Sequence, residues 1–410
     1  MNAEIVGVGT ELLLGQIANT NAQRISDTLA GIGVDVYYHT VVGDNLTRMA
    51  PAISQALSRA DAVVITGGLG PTPDDITREG VALALGRRLE RSPELVACVT
   101  AIFAAMGRDM PEANLQQADL PEGAVPIEPE GTAPGFMLDS KQGIVFALPG
   151  VPWEMAAMLH KTVVPELRMR ADDAATISRQ VLVLGLGESL THSKIADLVE
   201  RQANPTIAYL AGMGQVRVRI SAKAATEAAA LSLIEPVEAE VRARLGASAL
   251  PGNHATVAPA LAELLRGSGA TVGTAESLTG GLIGVELTAL PGSSDYFAGA
   301  LVCYSNDAKH AVARVPSEIL DGPGAISEEC AAALAEGARE VLGTTLGLSA
   351  TGVAGPATQE GHPAGTIFVG AATAAATEVR ALRGYGDRTN VRGFAATYAM
   401  DLGLRLLHAR

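Results

Sequence analysis

The sequence predicts an α/β protein with two α/β domains, the first built on a parallel sheet, joined by a small α+β domain. Three observations predict it. Strand and helix patterns alternate over residues 1–170, they alternate again over residues 253–410, and a short run of different rhythm stands between two breaks in the chain. A length of 410 residues also exceeds what one hydrophobic core ordinarily organises.

Residues 3–9 read as a buried strand, 21–29 as a helix, 34–42 as a strand and 46–60 as a helix. Residues 62–66 form a short apolar strand that ends in Gly67-Gly68. Ligands of such sheets sit at the carboxyl ends of the strands, where both glycine-rich turns of this half fall. A later strand, 143–148, ends at Pro149-Gly150-Val151-Pro152 and feeds a helix over 153–169, after which Ala171-Asp172-Asp173-Ala174-Ala175 reads as a linker. The middle domain runs strand (179–185), helix (189–202), two strands (206–210, 215–222) and helix (226–245), up to a second boundary at Pro251-Gly252-Asn253. The last domain opens with a helix over 256–266. A strand over 270–273 then runs into Ser277, a strand spans 298–304, and helices over 328–342 and 387–408 flank a strand-rich stretch between 345 and 385.

Hydrophobic residues make up 48% and aromatics 3%, so the cores are built from Ala, Val, Leu and Ile. The net charge of −14 argues against a general nucleic-acid binder, which presents a basic face. Cys98, Cys303 and Cys330 have no metal-like spacing and suggest no disulfide framework. The N-terminus enters a strand with no basic or apolar leader, and no apolar run spans a bilayer, so a cytoplasmic place is expected.

The run Thr274-Ala275-Glu276-Ser277-Leu278-Thr279-Gly280-Gly281 puts a hydroxyl at a strand end beside small residues that open a helix. Such a serine can attack a carbonyl while main-chain N–H groups hold the oxyanion, or the turn can bind phosphate. A base is available in Lys309 of Tyr304-Ser305-Asn306-Asp307-Ala308-Lys309, because a helix start and burial both disfavour its ammonium form. Ser349-Ala350-Thr351-Gly352-Val353-Ala354-Gly355-Pro356 is another strand end opening into a glycine turn. Arg388 and Arg392, four apart, stack two guanidiniums on one helical face and suit a phosphate or carboxylate.

In order and spacing these motifs resemble the nicotinamide mononucleotide deamidase domain that occurs alone and at the C-terminus of CinA (competence/damage-inducible) proteins, over residues 253–410. The resemblance implies a Ser277–Lys309 hydrolytic pair, supported by Tyr304 and Thr351, which needs no metal. It implies an oxyanion held by N–H groups around Thr279, Gly280 and Gly281, substrate contacts at Gly352 and Gly355, and a 5′-phosphate on Arg388 or Arg392. Where the family's glycine turn continues with further glycines and acids, this chain has Ala357-Thr358-Gln359-Glu360-Gly361-His362-Pro363.

In the first half, Thr66-Gly67-Gly68-Leu69-Gly70-Pro71-Thr72-Pro73-Asp74-Asp75-Ile76-Thr77 follows an apolar strand and precedes a helix. Its glycines let N–H groups approach an anion, and Asp74 and Asp75 at the helix start suit a hard cation between phosphates. A capped helix start uses the same residue types. With Gly7-Val8-Gly9-Thr10-Glu11-Leu12-Leu13 and Gly15-Gln16-Ile17-Ala18-Asn19-Thr20-Asn21 upstream, residues 1–170 resemble the molybdopterin-binding-like domain that begins CinA proteins. The resemblance implies a metal-dependent pyrophosphatase on ADP-ribose, yielding AMP and ribose 5-phosphate, with Gly9, Glu11, Asn19, Gly67, Gly68 and Gly70 at the substrate and Asp74 and Asp75 at a divalent cation. Residues 175–249 resemble the family's KH-type domain. Gly212-Met213-Gly214 is no basic GxxG loop, so that domain reads as a structural or dimerising module, and a homodimer is implied. Molybdopterin carriage without chemistry and recruitment in DNA uptake or repair are the competing functions.

Overall fold

A computed structural model describes residues 1–170, 175–212 and 214–408. The chain forms two units, Met1–Ile177 with Ala222–Ser232, and Ser178–Ser221 with Leu233–Arg410.

The first unit contains strands β1 (Asn2–Val8), β2 (Asp35–Val42), β3 (Ala62–Thr66), β4 (Leu89–Arg91), β5 (Asp119–Pro121), β6 (Val125–Ile127), β7 (Gly135–Asp139) and β8 (Ile144–Leu148). Six of them make one sheet in the order β2-β1-β3-β8-β7-β6. The first four run parallel, and β7 and β6 add antiparallel. Ile5, Val64 and Phe146 pack under helices Thr20–Ala30 and Pro152–Met158, while Val6, Val63, Ile65 and Val145 pack the opposite face. Both faces are therefore dry, which is why β3 reads as an unbroken apolar run rather than an alternation. The antiparallel strands escaped the sequence reading because they are short and broken by proline and glycine loops. The expected linker at 171–174 lies outside the described residues, and Ala175 already opens the next strand.

Three further strands, β9 (Ala175–Leu184), β10 (Thr206–Gly212) and β11 (Gln215–Ala224), form a sheet in the order β10-β11-β9, with helices Glu188–Glu200 and Glu227–Leu245. Buried Val216, Val218, Ile220 and Ala222 alternate along β11 with more exposed residues, the period-two pattern that marks a half-covered strand.

The last sheet comprises β12 (Val272–Glu276), β13 (Phe297–Val302), β14 (Leu346–Gly352), β15 (Thr366–Ala372) and β16 (Thr377–Arg383), in the order β13-β12-β14-β15-β16. Strands β13, β12 and β14 are parallel, and β15 and β16 run antiparallel. Strand β12 extends past the expected 270–273 because Thr274, Ala275 and Glu276 keep pairing with Leu348, Ser349 and Ala350. Helices Val257–Ser268, Leu282–Thr288 and Arg388–His408 cover one face, and Glu328–Leu342 covers the other.

That last helix approaches its neighbours through glycine. A Cβ on Gly337 would stand 1.9 Å from the carbonyl oxygen of Ala313, the final residue of helix Asn306–Ala313. Gly337→Ala should therefore lower stability by about 1–3 kcal/mol from overpacking, although alanine is the better helix former by ~1 kcal/mol. Chemical denaturation of this unit, read as an earlier unfolding midpoint, checks it.

Candidate functional site

Register builds the C-terminal site. Glu276 pairs with Val302 on one side and with Ala350 on the other, so Ser277, Cys303 and Thr351 leave three parallel strands side by side. The Ser277 N–H donates to the Ala350 carbonyl at 2.9 Å, which carries the ladder one residue past β12. Successive residues of a strand face opposite ways, and Glu276 turns away from Ser277 into the core. It is fully buried, and its carboxylate accepts from the Thr274 hydroxyl and from the N–H groups of Ile283 and Gly284, each at 3.0 Å. The first turn of helix Leu282–Thr288 is thus closed from inside by a carboxylate, as the helix dipole favours.

Gly280 and Gly281, at φ 60° and 96°, reverse the chain between serine and helix. The Gly280 N–H donates to the Ser277 carbonyl at 3.0 Å. Among the described residues nothing accepts from the N–H groups of Leu278, Thr279 or Gly281.

Lys309 comes from the neighbouring strand–helix junction. Cys303 and Tyr304 follow β13, and the Ser305 hydroxyl accepts from Ala308 N–H at 3.1 Å to cap helix Asn306–Ala313. The lysine is 3% exposed beside the buried thiols of Cys303 and Cys330. Burial pushes its ammonium below the ordinary lysine value, partly offset by the Cys330 and Cys303 thiols, the Glu360 carboxylate and Tyr304. The same burial raises the Cys303 thiol and pushes that of Cys330 up to about 11.

Ser277, Lys309, Tyr304, Thr351 and Arg388 line one cavity of about 260 Å³, whose lining includes no carboxylate. The Thr351 hydroxyl donates to the Ala325 carbonyl at 2.6 Å. Arg388 donates to the Tyr304 hydroxyl at 2.7 Å and to the Gly355 carbonyl at 3.0 Å. Arg392, one turn on, points elsewhere, donating to the carbonyls of Leu278 at 3.2 Å and Thr279 at 2.6 Å. The two arginines between which the sequence left the phosphate open are therefore divided, Arg388 onto the cavity and Arg392 onto the serine turn. A larger cleft of about 480 Å³ beside Gly187, Gln215, Phe394 and Tyr398 shows no serine–lysine pair among the described residues.

In the first unit the carboxyl ends of β1, β3 and β8 converge. A Cβ on Gly67 would stand 2.3 Å from the Val8 carbonyl oxygen, so only glycine allows this approach. The Asn21 amide donates to the Thr66 hydroxyl at 3.0 Å and the Gly150 carbonyl at 2.8 Å, and Thr66 donates to the Pro149 carbonyl at 3.1 Å. Asn19 caps helix Thr20–Ala30 through Ala22 N–H at 3.1 Å and lies over Gly7, while the Glu11 carboxylate lies against Gly9. Behind Gly68, the Thr77 hydroxyl donates to the Gly67 carbonyl at 2.8 Å. Arg78, 1% exposed, holds the carbonyls of Leu69 and Gly70 at 2.9 Å each, and Gln116 holds that of Thr72 at 3.0 Å.

Helix Thr77–Leu85 starts later than expected, so Asp74 and Asp75 occupy the turn before it. Asp75 Oδ2 accepts from the Thr72 N–H at 2.9 Å and its hydroxyl at 2.5 Å, beside Gly70. No three His, Cys, Asp or Glu side chains cluster as metal ligands among the described residues. What remains, the exposed Asp74 carboxylate and the second oxygen of Asp75, suits a hard cation completed by phosphate oxygens and water rather than a cage of protein ligands.

A profile of the CinA C-terminal domain matches residues 254–407, one of the CinA KH domain matches 178–249, and one of a probable molybdopterin binding domain matches 4–169. A CinA-like protein of Frankia casuarinae is 44% identical over 99% of this chain and 96% of its own. A putative competence-damage inducible protein of Geobacillus kaustophilus is 44% identical over 100% of both chains. The chain belongs to the CinA family. A solved CinA of unknown function from Thermoplasma acidophilum is 37% identical over 41% of this chain and 99% of its own, with a TM-score of 0.38.

Within this CinA-family site, sequence reasoning missed Glu276, Asn306, Gln359 and Glu360 in the C-terminal half and Arg78 and Gln116 in the first. Glu276 carried a legible signal, since an acid in an otherwise apolar central strand must find donors inside the fold. Among the described residues no helix is long and apolar enough to cross a membrane. Glu276→Gln turns one acceptor oxygen into a donor facing N–H groups. It should lower stability by about 1–3 kcal/mol, seen as an earlier unfolding midpoint.

Proposed function

We propose that the chain is a bifunctional hydrolase of pyridine nucleotides, which deamidates nicotinamide mononucleotide at Ser277 and cleaves the pyrophosphate of ADP-ribose at the N-terminal strand ends. The observation that carries the first activity is a strand-end serine and a buried lysine opening on one cavity, with Arg388 on its wall. A lysine with no carboxylate on its cavity wall can be neutral and act as a base.

Lys309 Nζ accepts the Ser277 proton as Oγ attacks the carboxamide carbon, and the N–H groups of Leu278, Thr279 and Gly281 are the donors free to meet the oxyanion. Gly280 is excluded, because its N–H is held by the Ser277 carbonyl. Lys309 returns its proton to the departing ammonia. Water, deprotonated by the same amine, then cleaves the ester to nicotinate mononucleotide and regenerates the serine. Arg388 takes the 5′-phosphate, since it stands on the cavity wall, whereas Arg392 is turned onto the carbonyls that shape the serine turn. This half needs no metal.

At the N-terminal site Asp74 and the free oxygen of Asp75 would hold a divalent cation shared with the pyrophosphate, whose charge it would neutralise when bound. The N–H groups of Gly68 and Gly70 approach the phosphates, whereas that of Gly67 is held by the Leu148 carbonyl at 3.0 Å, and Arg78 holds their loop in shape. Pterin carriage would use the same strand ends without hydrolysis, and an ADP-ribose assay with added divalent cation separates the two. The free cysteines suit a cytoplasmic place, and a homodimer fits the family reading.

Ammonia release from nicotinamide mononucleotide should fall by on the order of a thousandfold or more in Ser277→Ala and in Lys309→Ala, and should not respond to a chelator. Wild-type turnover in either variant overturns the pair. The wild-type kcat/KM should rise with pH through a midpoint below the ordinary lysine value, because the neutral amine is the active form. Arg388→Ala should raise KM for the nucleotide by about ten- to a hundredfold and leave that for the phosphate-free riboside unchanged.

A further inference from the structure

One loop beside the cavity departs from ordinary backbone geometry. Gln359 and His362 exchange both main-chain hydrogen bonds, at 3.0 and 2.9 Å, around a tip formed by Glu360 and Gly361. Both tip residues have positive φ, 49° and 77°, as in the tight turns that favour Asn-Gly. A glutamate in the first of these positions is strained, and strain of this kind persists only where the surroundings hold it.

The surroundings do hold it. The Glu360 carboxylate reaches back to accept from the Ile326 N–H at 3.2 Å. Gly324, at φ 91°, leaves room for it, since a Cβ there would stand 2.7 Å from Glu360 Oε2. Ala325 and Ile326 line the cavity from one side and Gln359 from the loop side, so one side chain ties two walls together. Ala325 is also the residue whose carbonyl receives the Thr351 hydroxyl.

Charge is the second part. Lys309 is faced by Cys303 and Tyr304 from the end of β13, by Cys330 from helix Glu328–Leu342, and by Glu360 from the loop. Asp307 and His310 share its own helix, and Arg388 shares the cavity. Of the groups that act on the lysine, Glu360 alone is a carboxylate.

We propose that Glu360 is a positioning residue of this site, pinning the 356–363 loop against Ile326 and bringing a negative charge to the walls of the cavity that Lys309 lines. The proposal rests on the deamidase reading, and it separates into two effects. The hydrogen bond needs only an acceptor oxygen, whereas the effect on Lys309 needs the negative charge. Glu360→Gln keeps the acceptor and removes the charge, and Glu360→Ala removes both.

With nicotinamide mononucleotide as substrate, Glu360→Gln should leave KM within about twofold and move the acidic limb of kcat/KM to lower pH by about half a unit, because an exposed carboxylate acts less than a buried neighbour. The sign follows from the charge, since loss of a nearby anion makes the ammonium easier to deprotonate. Glu360→Ala should show the same shift together with a severalfold rise in KM. A Glu360→Gln profile that superimposes on the wild type overturns the charge role, and an unchanged KM in Glu360→Ala overturns the pin.

A second measurement needs no substrate. The rate at which acetic anhydride acetylates Lys309, followed by mass spectrometry against pH, should show a lower midpoint in Glu360→Gln than in the wild type. A lower midpoint in a protein that releases no ammonia would retire the deamidase reading and keep Glu360's hold on Lys309. An unmoved midpoint removes that hold whatever the activity.

Discussion

The carboxylate of Glu276, sealed in the core with three donors around it, is the interaction on which the C-terminal site depends. It ties down the start of the following helix and satisfies N–H groups that would otherwise be buried without a partner. Because neighbouring residues of a strand face opposite ways, burying Glu276 obliges Ser277 to face the cavity. Loss of that anchor would free the helix start and the serine turn together.

From that point the rest follows by register. Three parallel strands end at the same level and deliver Ser277, Cys303 and Thr351 abreast. The chain leaving β13 then turns at a capped helix, which sets Lys309 one turn inside, against thiols and aliphatic side chains. Most of the lysine is packed away from bulk solvent, and Gly337 lets the covering helix come close to helix Asn306–Ala313, which carries it. Arg392 braces the serine turn from the opposite side through the Leu278 and Thr279 carbonyls, so the turn is held at both ends.

The α/β character, the strand ends and the positions of Ser277 and Lys309 were legible in the sequence because each depends on local signals: apolar runs, capping serines and glycine turns. What was illegible depends on partners distant in the chain. Arg388 and Arg392 do lie on one helical face, as their spacing implies, yet their targets come from different loops and only the fold divides them. In the loop at 356–363 nothing local tells that Glu360 would take a conformation glycine prefers and reach Ile326. The antiparallel strands β6 and β7 are too short for a period to emerge. Asp74 and Asp75 were read as a helix start, but the helix begins at Thr77 and Asp75 holds Thr72 instead.

In the proposed deamidation Ser277 forms a covalent bond to the substrate once Lys309 has taken its proton. Rapid acid quench of the protein with nicotinamide mononucleotide, followed by peptide mass spectrometry, reads this directly. An acyl adduct that has lost ammonia, carried on the peptide containing Ser277 and absent in Lys309→Ala, is the predicted result. Steady release of ammonia with no adduct at Ser277 at any quench time, and undiminished in Ser277→Ala, would contradict it.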